Sequence, residues 1–162
     1  MNYNSSLFGR ILEDKRDELV SNLQKAIQFP SVSEINDGEF PFGKNVHNCL
    51  LFMLNLAESM GFRTCNVDNH VGWCEYGEGE EMVAVLGHLD VVPAGEGWSI
   101  PPYEGRVIAG KIYGRGTMDD KGPTVAALYS LLALKESAVK LNRRIRLFFG
   151  LSEENGGNDI GY

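Results

Sequence analysis

The feature that most constrains this chain is a short apolar run, Met82-Val83-Ala84-Val85-Leu86, which passes without a spacer into Gly87-His88-Leu89-Asp90. Uninterrupted and short, the run predicts a strand buried on both faces in the middle of a sheet. Open α/β sheets place their ligands just beyond the carboxyl ends of such strands, which makes the residues after Leu86 the first place to look for chemistry. Residues two apart on an extended chain point to the same side. The Asp90 carboxylate can therefore reach one ring nitrogen of His88 while the other faces a metal ion, the arrangement that orients a metal-binding imidazole. A histidine that only finishes a strand would give the same three letters.

The flanking sequence supplies the rest of an α/β pattern. Leu12, Leu19, Leu23 and Ile27 recur at helical spacing from Leu7 to Phe29, predicting one amphipathic covering helix closed by Pro30. A polar loop from Ser31 to Gly43 precedes a second helix marked by Val46, Leu50, Leu54 and Ala57, which stops at Gly61. Phe62 to Val67 and Val71 to Tyr76 read as strands. Beyond the apolar run come a loop rich in Pro, Gly and Trp, a short strand pair around Arg106 to Tyr113, and a Gly-rich loop. That loop enters a third helix, Pro123 to about Glu136, with Val125, Leu128, Tyr129 and Leu132 on one stripe. Pro123 suits a first helical turn, where a missing N–H costs nothing. Ile145, Leu147 and Phe149 alternate with Arg144, Arg146 and Phe148 as a last strand before Gly150. The order predicts a single α/β domain, a three-layer sandwich around a mixed, mostly central sheet.

Two further polar clusters fall at the ends of these elements. Ile112-Tyr113-Gly114-Arg115-Gly116-Thr117-Met118-Asp119-Asp120-Lys121-Gly122-Pro123 brings two acids to a helix start, where either could simply cap the helix. Glycines and a lysine before a helix also suggest a phosphate loop, but there is no GK[ST] ending and two carboxylates would repel phosphate. Leu151-Ser152-Glu153-Glu154-Asn155-Gly156-Gly157 comes directly after the last strand. Neighbouring residues on a strand face opposite ways, so Glu153 and Glu154 can serve one site only where the glycines break the strand. Paired carboxylates serve glycoside hydrolysis in some proteins. With a histidine and an aspartate at neighbouring strand ends they equally compose a zinc site, and solvated loop acids are the plainest alternative.

Composition narrows the field. A net charge of −7 offers no basic stripe for a phosphate backbone, so nucleic acid is a poor partner. Cys49, Cys65 and Cys74 form an odd set without CxxC, which argues against a disulfide framework and fits buried thiols in a reducing compartment. The first twenty residues hold no apolar stretch of signal-peptide length, and no run is long enough to span a membrane. The cytoplasm is the default expectation.

Taken together, the clusters are far more specific than any one of them. GHLDVVPAGEGW, IYGRGTMDDKGPTVAALYSL and FGLSEENGGNDIGY, in this order and spacing, resemble the two-zinc exopeptidases, a family that includes aminoacylases, glutamate-releasing carboxypeptidases and Xaa-His dipeptidases. WSIPPYEG and DDKGPT look most like its bacterial, carnosinase-like dipeptidase branch. The resemblance implies a zinc-dependent hydrolase of very small peptides. It makes His88 a ligand of one zinc, Asp90 its orienting partner, Asp119 a bridge between two zinc ions, Glu154 a ligand of the second, and Glu153 the general acid/base. It also implies a cis Asp119–Asp120 peptide bond. Ser152 stands where the family often has another polar or acidic residue, and both glutamates keep their places.

On that resemblance each zinc receives two ligands from this sequence, whereas catalytic zinc usually has three protein ligands. His47 and His70 belong to no matching motif. The expectation is therefore that residues 1–162 form the N-terminal part of the catalytic domain. The lid, the rest of that domain and the remaining ligands would lie beyond Tyr162, leaving this chain a weak zinc binder with little turnover. An unpaired strand edge with apolar surface is expected if the sheet continues elsewhere. Two other readings share these residues: an N-acyl amino acid deacylase of the same family, and a non-catalytic fragment.

Overall fold

The structure is a computed structural model, describing residues 5–157 and 159–162. Its elements run α1 (Ser5–Asp14), α2 (Arg16–Ile27), α3 (Lys44–Ser59), β1 (Arg63–Val67), β2 (Val71–Tyr76), β3 (Met82–His88), β4 (Arg106–Ile108), β5 (Lys111–Tyr113), α4 (Lys121–Glu136) and β6 (Arg144–Gly150). The helix expected over Leu7–Phe29 divides at Lys15, whose backbone (φ −92°, ψ 0°) leaves the α region. Helical hydrogen bonds bracket the break, Lys15 N–H to Ile11 and Leu19 N–H to Lys15, so the apolar stripe runs through it. The bend lets both halves rest on α4.

Four strands form one mixed sheet in the order β1-β2-β6-β3, and β4 and β5 pair separately. β1–β2 and β2–β6 are antiparallel, while β3 runs parallel to β6 with His88 opposite Gly150. The register puts Gly72, Phe149 and Gly87 in one row on one face. On that face α3 brings Leu50 and Leu54 against Gly72, and α4 brings Thr124 against Gly87, so both helices cover the same side. The core lies between them and includes Val46, Leu50, Met53, Val125, Leu128, Leu147 and Phe149.

The opposite face, among the described residues, carries no helix. There Arg146 lies 3.8 Å over the Trp73 ring and 2.8 Å from Glu75, which also meets Arg63 and Arg144.

A second expectation fails. β3 is an edge strand, not a central one, and Met82, Val83, Val85 and Leu86 are 41%, 41%, 38% and 60% exposed. An apolar run reports that a strand needs cover, not where its cover comes from. Among the described residues β6 alone flanks it, and this is where the unpaired apolar edge lies. Cys49 and Cys74 are buried, and burial raises both thiols, Cys74 to about 12. No helix among the described residues is long and apolar enough to cross a membrane.

Candidate metal centre

Parallel pairing of β3 with β6 sets two strand ends side by side, and the loop entering α4 closes over them. His88 is the last residue of β3. Its backbone N–H donates to Asp120 Oδ2 at 3.1 Å, and the same oxygen accepts the Thr124 hydroxyl at 3.0 Å. A Cβ at Gly87 would collide with Thr124 Oγ1 and approach Asp120 Oδ2, so glycine there allows α4 to reach the strand end. Leu89, next in line, is tied down on both sides. Its N–H donates to Gly150, and its carbonyl accepts the Ser31 hydroxyl at 2.6 Å.

The imidazole is held at both nitrogens. Nδ1 lies 3.3 Å from Asp90 Oδ1 and 3.1 Å from the Asp90 carbonyl, while Nε2 lies 3.1 Å from Asp119 Oδ1 and 3.8 Å from Glu153 Oε2. Burial alone would lower the His88 pKa. The hydrogen bonds and charge of Asp90, with the charge of Asp120, outweigh burial and raise it to about 9.

Asp90 is fully buried and does more than orient the ring. Its Oδ1 accepts the Glu153 N–H at 3.2 Å and its Oδ2 the Glu154 N–H at 3.0 Å. One carboxylate thus ties the end of β3 to the loop after β6. The Asp119–Asp120 peptide is cis.

His88, Asp119 and Glu154 each bring one ligand atom into a cluster whose members all lie within 4.8 Å of one another. Glu153 stands beside it, with its side chain 65% exposed. The Glu154 carboxyl is raised by partial burial and by the nearby charges of Asp119, Asp90 and Glu153, against the pull of His88. No Lys or Arg pairs with Asp119, Glu153 or Glu154 among the described residues. Hard carboxylate oxygens and one imidazole nitrogen, converging with their charge unbalanced, fit a divalent cation. All five residues expected at the site are brought together here. His47 and His70 lie elsewhere, against Phe40 and between Phe42 and Tyr162.

Sequence reasoning missed two neighbours. Asp120 occupies the position before α4, yet its side chain does not cap the helix backbone and instead pins His88. Asp159 folds back beneath the loop after β6. Neither carries a local signal, since both act across the fold.

These features define the chain as an α/β protein with a candidate divalent-cation centre at the carboxyl ends of two parallel strands. Residues 84–161 match the sequence profile of Peptidase family M20/M25/M40. It is 40% identical to the putative dipeptidase YtjP of Bacillus subtilis (strain 168) over 144 residues, 87% of this chain and 31% of that protein. It is 36% identical to the Beta-Ala-Xaa dipeptidase of Lactobacillus delbrueckii subsp. lactis over 158 residues, 96% of this chain and 34% of that one. Human carnosine dipeptidase 1 matches in structure with a TM-score of 0.78 and 27% identity, over 94% of this chain and 35% of the human chain. The chain thus spans about a third of the length of the relatives it matches.

Proposed function

We propose that this chain carries the cation-binding core of a zinc-dependent peptidase that cleaves dipeptides. The convergence of His88, Asp119 and Glu154, with Glu153 alongside, carries the reading. The names of the relatives, each a dipeptidase, support the substrate class. His88, Asp119 and Glu154 would hold the metal, with Asp119 shared between two ions. Zinc held there supplies a water of lowered pKa and polarises the scissile carbonyl.

The chain's own residues do the rest. Asp90 holds the Nδ1 side of His88, which leaves Nε2 for the cation. The Glu153 side chain is 65% exposed on the open side of the cluster, where water reaches it, and lies 3.8 Å from His88 Nε2. It takes a proton from the attacking water and returns it to the leaving amine nitrogen. The amine departs as the carbonyl carbon closes to a carboxylate.

With Asp119 shared, each zinc would take two ligands from this sequence. On this reading the remaining ligands and the surface that holds the peptide termini belong to the two thirds of the relatives' length that this chain does not span.

The test is a chimera in which residues 1–162 replace the matching segment of the Bacillus relative, assayed with dipeptides and with N-acetyl amino acids. Zinc-dependent dipeptide hydrolysis is expected, falling roughly 10²- to 10⁴-fold in Glu153→Gln. Hydrolysis of the N-acetyl amino acids instead would reassign the chain to deacylation. A folded, zinc-loaded chimera inert towards both would sink the proposal.

A further inference from the structure

Asp159 lies five residues beyond Glu154 and returns under the same loop. The residue is 5% exposed. Oδ2 accepts the N–H groups of Leu151 and Ser152, at 2.5 and 2.9 Å, and Oδ1 accepts that of Ile160 at 2.7 Å. Asp90 takes the next two amides, those of Glu153 and Glu154. Four successive backbone N–H groups, residues 151 to 154, therefore end on two buried carboxylates.

The surroundings leave room for this clamp. A Cβ at Gly150 would come 3.1 Å from Asp159 Oδ2, and one at Gly157 would strike the Ser152 side chain. No Lys or Arg pairs with Asp159 among the described residues, so its hydrogen-bonding partners are backbone amides. A buried carboxylate with such partners fixes a backbone path, because letting that path move would leave both the charge and its donors unsatisfied. Asp159 also lines a cavity of about 260 Å³ shared with His88, Asp120 and Glu153, which puts the clamp against the site.

We propose that Asp159 is a positioning residue, fixing the first half of the Leu151–Glu154 loop so that the Glu153 and Glu154 carboxylates stay beside His88 and Asp119. Its effect on cation binding rests on the function proposed above; its effect on the loop does not. Alanine removes every acceptor. Asparagine keeps one oxygen for the Leu151 and Ser152 amides and gives up the charge and the Ile160 bond. The two variants therefore separate loop fixation from side-chain bulk.

The experiment uses the 162-residue chain as wild type, Asp159→Ala and Asp159→Asn, with amide hydrogen exchange followed residue by residue and Co²⁺ titrated as the probe cation. Asp159→Ala is expected to lose protection at Leu151 and Ser152 while Leu147 and Phe149 in β6 keep theirs. Its Co²⁺ affinity should fall about tenfold or more, the usual cost of removing an outer partner of a metal site. Asp159→Asn should stay closer to wild type in both readouts. Unchanged exchange at Leu151 and Ser152 in Asp159→Ala would overturn the proposal. So would loss of protection along the whole of β6, which would make Asp159 a support of the fold at large. If the wild-type chain itself shows no response to Co²⁺, the cation-dependent function fails, and the exchange pattern still decides the role of Asp159.

Discussion

The acids of this site divide into a floor and a rim. Asp90 and Asp159 form the floor, fully buried and 5% exposed, and their oxygens are occupied by backbone N–H groups and, for Asp90, the imidazole. Asp119 and Glu153 stand on the rim with side chains 76% and 65% exposed, and Glu154 lies between the two conditions. The same functional group does opposite work in the two places. A buried carboxylate with both oxygens bonded to amides orients its neighbours and offers little to a ligand. One that faces solvent beside other acids keeps its lone pairs and lacks only a cation. The supply of free N–H groups at the end of β6 decides which acid is which.

Breaking the floor should cost the most. Asp90→Ala would strand the amides of Glu153 and Glu154 and the Nδ1 side of His88 in a site with no water access at Asp90. Removing one partner from a buried, charged hydrogen-bond set typically costs about 3–5 kcal/mol. Urea unfolding of the cation-free chain should show a loss of that size; a loss below about 1 kcal/mol would mean that the floor does not hold the loop.

The rim was far more legible in the sequence than the floor. His88, Asp119, Glu153 and Glu154 each sit next to a strand end or helix start, so local pattern brought them forward as candidates and the family resemblance gave them roles. Asp90 could be assigned to His88 from their spacing, but not to the amides of Glu153 and Glu154, which lie 63 and 64 residues away. Asp120 pins His88 across 32 residues, and only the packing of α4 on Gly87 creates that contact. The element order was readable for the same local reasons. The edge position of β3 and the break at Lys15 were not, because periodicity records which side of an element is covered and says nothing about neighbours or bends.

The second largest effect links floor to rim through His88. Its pKa is raised from 6.5 to about 9 in the folded chain, chiefly by Asp90 acting against burial. A raised basic group stabilises the fold fully below its unfolded value and loses that contribution as pH climbs through the folded one. The cation-free chain should therefore lose on the order of 3 kcal/mol between about pH 6.5 and 9. Cation binding should run the other way, since a metal at Nε2 must displace the proton there, and affinity should rise over the same window. Calorimetry in buffers of different ionisation enthalpy would detect the released proton. Equal cation affinity at pH 6.5 and 9 would separate His88 from the cation site.

The smallest effect on stability, and the sharpest contrast with Asp90, belongs to Glu154→Gln. The Glu154 carboxyl is raised by partial burial and by Asp119, Asp90 and Glu153, so its ionised form costs the fold something at neutral pH. A raised acid weakens the fold above its unfolded pKa and has no such effect below it. Glutamine removes that cost, and stability at pH 7 should rise by no more than about 0.5 kcal/mol, the gain vanishing below about pH 4. Co²⁺ affinity should fall by at least the tenfold that even outer-sphere changes produce, because a ligand atom has been lost. A variant stabilised yet poor in cation binding is what an unspent rim acid predicts. If Glu154→Gln instead destabilised the chain as Asp90→Ala does, Glu154 would belong to the floor, and the division between holding the site and serving it would fall elsewhere.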